Sequence, residues 1–258
     1  MRLMKRILSA AAVLALSASL LVGCSSGTAN SVPVSASSAA ESTVSSVEET
    51  ASSAVDENEA AAAQLLNDLT GSYQELWPVI LADEYKQTWL DDCTALVGED
   101  NAEAAFEKLS SMVTGDVYGE DAVKAYANGG GAYFCGFTNS LAILTFDGET
   151  STISGTDKDG NVLFSHTYHY IGMEPVRGLY EFQSDDADSG EFTYFFLAPD
   201  TSAETYHIEF RYGSDAEALS QYDTGEYAYW LASGISTDCD QTMIDNCIEL
   251  FCTENLAG

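Results

Sequence analysis

The chain has 258 residues, 46% of them hydrophobic and 11% aromatic, enough for one globular domain with extensions. Nine basic residues stand against 41 acidic ones, a formal charge of −32 at pH 7. Such a surface repels phosphate backbones, which excludes nucleic acid as a partner, and it concentrates cations around the molecule.

Met1 to Arg6 is a basic start, and Ile7 to Val22 is an apolar run too short and too interrupted by serine to span a membrane comfortably. The run ends in Leu21-Val22-Gly23-Cys24, followed by Ser25-Ser26, which resembles the lipobox of bacterial lipoproteins. That resemblance implies that residues 1–23 are a signal peptide and that Cys24 is lipidated as the mature N-terminus. Acyl chains, not a helix, then hold the protein on the extracytoplasmic face of the membrane, in the bacterial cell envelope. Residues 24–61 are dominated by Ser, Ala, Thr, Val and Glu, with no aromatic residue before Tyr73 and no basic residue between Arg6 and Lys86. So little can be buried that this stretch reads as a disordered tether.

A domain of residues 62–258 follows. Ala61 to Leu69 favours helix, and Thr70 or Ser72 offers an N-cap for a second helix in which Tyr73, Leu76, Trp77, Ile80 and Leu81 keep helical spacing. Pro78 breaks or kinks that run. Tyr85, Trp89 and Leu90 carry the apolar stripe to Cys93. A helix over Asn101 to Met112 turns Ala105, Leu109 and Met112 inward, and a shorter one covers Asp121 to Ala127, closed by Gly129-Gly130-Gly131.

Beyond the glycines the pattern becomes β-rich. Strands are expected at Tyr133–Thr138, Leu141–Phe146, Ser151–Gly155, Val162–Ile171, Gly178–Gln183, Phe192–Leu197 and Thr205–Tyr212, separated by turns rich in Asp, Gly and Pro. In the last strand Thr205, His207, Glu209 and Arg211 share one face, while Tyr206, Ile208, Phe210 and Tyr212 form a core-like other face. Tyr227 to Leu231 reads as an extension or covering loop, and Thr242 to Cys252 as a final helix. Seven short strands with hairpin-length links predict an antiparallel barrel or sandwich flanked by helices, an α+β, mainly β architecture.

From Leu69 to Ile235 the sequence resembles the ZinT (YodA-type) family of bacterial zinc-binding proteins. The matching pieces, in order, are Leu69-Thr70-Gly71-Ser72-Tyr73, Trp77-Pro78, Tyr168-His169-Tyr170-Ile171-Gly172, Arg177 to Phe182, Ala198-Pro199, and Tyr206 to Phe210 with Gly213. The resemblance implies a lipocalin-like (calycin-type) β-barrel with helices beside it, zinc as the bound ion, and a metal importer as partner. The family's three barrel histidines lie just before the Ala-Pro pair and on either side of an aromatic residue. Here those positions read Phe195-Phe196-Leu197 and Thr205-Tyr206-His207, so His207 alone carries over.

One imidazole binds zinc weakly, so other donors are needed. Glu209 shares the His207 face and Glu204 stands at that strand's start. His166 and His169 are three residues apart, on opposite faces of a strand, so at most one of them joins His207. Asp157 to Asn161 has its glycine too early for an EF-hand and reads as a hairpin turn, and Asp185 to Gly190 as a solvated acidic loop. Beyond Cys24, five cysteines (Cys93, Cys135, Cys239, Cys247, Cys252) contain no Cys-x-x-Cys pair. Outside the cytoplasm they permit a bridge joining the helix of Cys93 to the last helix, with the pairing open. Hydrolase, zincin and phosphate-loop motifs are absent, so the chain reads as a non-enzyme. The favoured expectation is metal capture, buffering or delivery. The alternatives are a barrel that has lost its metal and binds a small ligand or protein, and a structural lipoprotein.

Overall fold

The computed structural model describes residues 57–127, 129–199 and 207–257. The expected signal peptide, Cys24, the tether before residue 57 and Glu204 lie outside these residues.

Residues 57–68 are helical (α1). Eight strands follow, β1 (Gly71–Glu75), β2 (Ile143–Asp147), β3 (Thr152–Thr156), β4 (Val162–Met173), β5 (Tyr180–Ser184), β6 (Tyr194–Leu197), β7 (His207–Gly213) and β8 (Ala232–Ser236). They form a closed antiparallel barrel in sequential order, with β1 paired to both β2 and β8. Between β1 and β2 lie α2 (Leu76–Ile80), α3 (Lys86–Val97), α4 (Glu99–Val113) and α5 (Glu120–Ala125); α6 (Ala216–Leu219) follows β7, and α7 (Gln241–Leu256) ends the domain. The expected barrel with flanking helices is what the chain forms, and no helix among the described residues is long and apolar enough to cross a membrane.

Three expectations need correction. Tyr73 does not start a helix: Gly71 to Glu75 is the strand that closes the barrel, with Tyr73 opposite both Leu144 and Ser236. Its spacing to Leu76 and Trp77 mimics a helical face only because α2 begins directly after β1. Residues 133–138 make isolated bridges through Phe134 and no strand. Met112, expected inward, is 39% exposed at the end of α4, where the chain turns away.

The barrel interior is filled by every second residue of its strands, including Phe146, Ile153, Phe164, Phe195, Phe210 and Tyr212. Rings meet at stacking distance, with Phe164 and Phe192 centroids 3.9 Å apart and Phe195 and Tyr212 5.4 Å apart. Gly155 makes room for this packing, because a Cβ there would lie 2.4 Å from both Leu141 Cδ1 and Phe164 Cε1.

A second core lies between the barrel's outer wall and the helices. It contains Trp77 and Ile80 of α2, Trp89 and Cys93 of α3, Leu109 of α4, Ile235 of β8, and Ile248 and Cys252 of α7. Trp89, fully buried, donates its indole N–H to the Ile80 carbonyl at 2.7 Å, so its one polar group is satisfied within this layer. Phe251 of α7 meets Trp77 edge-on at 4.7 Å and so packs α7 onto α2. Asp240 caps α7 by accepting from Met243 N–H at 3.0 Å. This layer holds α7 across the outer face of β7, where the candidate donors lie.

Candidate metal site

Strand β7 sorts its side chains as alternation requires. Ile208, Phe210 and Tyr212 enter the barrel core, and His207, Glu209 and Arg211 point to the outer wall. That outer face is not open surface. Arg211 is fully buried, and His207 and Glu209 are partly covered by α2 and α7.

His207, Glu209, Cys247 and Glu254 line one cavity of about 30 Å³, closed by Leu76, Trp77 and Phe251 among others. The volume suits one ion or water. Cys247, Leu250, Phe251 and Glu254 stand at positions i, i+3, i+4 and i+7 of α7, a single helical face turned toward β7. Glu209 also borders a second crevice of about 130 Å³ with Cys135, Arg177, Leu231 and Phe251. Both thiols around Glu209 keep their protons at neutral pH. Burial first, and then the Glu209 charge, push Cys135 and Cys247 each up to about 12. The indole N–H of Trp77 and the hydroxyl of Ser233, which stands opposite Glu209 in the ladder, are both buried beside the Cys135 thiol.

The other two histidines are taken up elsewhere. His166 Nδ1 lies 2.7 Å from Asp186 Oδ2 and stacks on Phe164 at 5.9 Å. His169 Nδ1 lies 2.7 Å from Asp185 Oδ1, on the opposite, more exposed face of β4. Neither lines the His207 cavity, and β5 and β6 separate β4 from β7. The expected union of one of them with His207 is therefore not present in this arrangement. The acidic loop expected to be merely solvated supplies both of their partners. The Asp157 to Asn161 segment is the hairpin turn the sequence suggested, its Asp157 carboxylate accepting from the backbone N–H groups of Asp159 and Asn161 at 2.9 Å.

Among the described residues, no three His, Cys, Asp or Glu side chains are close enough as they stand to hold a metal ion. The donors lining the His207 cavity nevertheless fit zinc in kind, being an imidazole, a thiol and two carboxylates. Sequence reasoning reached His207 and Glu209 but missed Cys247 and Glu254. The signal for those two was their seven-residue spacing on the last helix, visible only once that helix is known to face β7.

No protein-family model and no curated protein matches the chain. Among solved structures it is similar to the Zn(II)-bound ZinT-like domain of AdcA from Streptococcus pneumoniae, at 15% identity and a TM-score of 0.45, over 71% of this chain and 89% of that one. It is also similar to Zn(II)-bound AdcA from the same organism, at 15% identity and a TM-score of 0.41, over 75% of this chain and 35% of that one.

Proposed function

We propose that the chain is a lipid-anchored, extracytoplasmic binding protein for a divalent metal, with zinc as its ion, held in the cavity between β7 and α7. The observation that carries this reading is that His207, Glu209, Cys247 and Glu254 all line that one cavity. Calcium and magnesium want six or more oxygen ligands, whereas imidazole, thiolate and carboxylate together suit zinc. His207 and Glu209 supply the wall ligands, and Cys247 and Glu254 close from α7 by side-chain rotation, with loss of the thiol proton. The acidic surface raises the local cation concentration, and the resemblance to a lipobox at Cys24 supports the anchor. A metal importer in the same membrane is the partner to which such a protein delivers its ion.

Calorimetric titration of zinc into the metal-stripped full chain, made without a histidine tag, tests the reading. One equivalent should bind with Kd below about 1 μM, roughly 8 kcal/mol. His207→Ala and Cys247→Ser should each weaken binding by about a hundredfold or more. Binding no tighter than a scatter of surface carboxylates provides, and unchanged in both variants, would falsify the site. Retention of the Cys24→Ser chain in the membrane fraction would sink the anchor.

A further inference from the structure

The structure assigns Cys93 and Cys252 as a disulfide pair, a covalent tie between α3 and α7 that is independent of the metal reading. Their sulfurs lie 3.9 Å apart across the α3–α7 contact, and both residues are fully buried. A disulfide requires the sulfurs to close by about 2 Å, a shift that side-chain rotation supplies when the two chains already face each other. The other three cysteines have different surroundings. Cys135 points to the Tyr133 carbonyl at 3.8 Å, Cys247 faces the Glu209 cavity, and Cys239 precedes α7. Cys252 lies on the α3 side of α7 rather than on the face that carries Cys247 and Glu254, so bridging it leaves the cavity's donors untouched.

The chemistry is thiol–disulfide exchange with a small or protein disulfide as oxidant. One thiolate attacks a sulfur of the oxidant, forming a mixed disulfide and releasing one thiol. The second thiolate then attacks the protein-side sulfur, forming the Cys93–Cys252 bond and releasing the second thiol. Two electrons pass to the oxidant, and the two protons lost by the cysteines end on its thiols. Burial pushes both thiols above their usual range, and neither is exposed, so exchange is fast before α7 docks on α3 and slow afterwards. The residues are 159 positions apart, so the bond closes a long loop and restricts the unfolded chain strongly.

The test is refolding of the reduced, denatured full chain with oxidised glutathione, alkylation in denaturant with iodoacetamide, and peptide mapping without reduction. A linked Cys93–Cys252 peptide in most molecules is expected, together with a Tm about 5–10 °C above that of the reduced chain. Cys93→Ala should abolish that rise and Cys239→Ser should keep it. Recovery of Cys93 and Cys252 as alkylated thiols, or bridged to Cys135, Cys239 or Cys247, overturns the assignment. Should Cys93→Ala fail to fold, mapping of the unaltered chain decides the question alone.

Discussion

The guanidinium of Arg211 lies 4.4 Å from the centroid of the Tyr222 ring, and Arg177 approaches the same ring at 4.4 Å. Arg211 is buried on the outer wall of β7, and burial holds its pKa below the usual arginine range. It donates to the backbone carbonyls of Leu219, Gln221 and Tyr227, so one side chain pins the segment between α6 and β8 onto the barrel. A guanidinium suits this task because its planar fork reaches several carbonyls at once while its face stacks on an aromatic ring.

Arg211→Met is therefore expected to cost about 3–5 kcal/mol in urea denaturation, since it leaves buried carbonyls unpaired. Arg211→Lys keeps the charge but not the fork and should recover less than half of the loss. Amide exchange should rise in residues 216–230 and much less in β2 and β3. A loss under about 1 kcal/mol for the methionine variant would show that the segment holds itself in place.

Asp240 is the N-cap of the helix that forms one wall of the candidate metal site. Asp240→Ala should destabilise the domain by about 1 kcal/mol, while Asp240→Asn should stay within a few tenths. Chemical denaturation of the three chains side by side gives the answer. Equal stability in all three would mean that α7 is held by packing alone.

Alkaline pH should unfold the domain through its buried tyrosines and, from about 9.0 upward, through the Cys135 and Cys247 thiols, which burial raises in the same way. Burial first, then nearby Glu174 for Tyr222 and Glu191 for Tyr227, push these phenols from an ordinary 10.0 up to about 12. A folded pKa above the unfolded one gives stability that is complete below pH 10 and lost as pH rises toward 12. In that window each such group contributes a loss of about 1.4 kcal/mol per pH unit. Tyr168 and Tyr212 are raised as well and act in the same sense. The urea midpoint measured from pH 8 to 11.5 should be flat and then fall, with a shallower fall in Tyr222→Phe. A flat profile throughout would contradict the assignment of these phenols as buried and neutral.

The parts of the fold that were legible in the sequence are those where one residue face is apolar and the other polar. Strands β2 to β7 and helices α4 and α7 announce themselves this way, and β7 in particular alternates as written. Strand β8 did not, because Ala232-Ser233-Gly234-Ile235-Ser236 is small except for Ile235 and four of its five residues are buried, so no alternation shows. Strand β1 was hidden by its direct junction with α2. At the site, the resemblance pointed to His207 and strand geometry to Glu209. Cys247 and Glu254 depend on how α7 crosses β7, a tertiary fact no local pattern records. The pairing of His166 and His169 with Asp186 and Asp185 was invisible for the same reason: it joins residues 20 and 16 positions apart across the end of a hairpin.

The division into two cores separates the protein's three tryptophans. Trp230 belongs to the barrel, with Tyr212 edge-on at 5.0 Å, whereas Trp77 and Trp89 belong to the helical layer and lie 4.7 and 6.0 Å from Phe251. Each layer thus carries its own intrinsic fluorophore. Emission from a Trp230→Phe chain reports on the helices alone, and emission from a chain lacking Trp77 and Trp89 reports on the barrel alone. Heating the two would show whether the helical layer peels away while the barrel stands, or whether both melt as one cooperative unit.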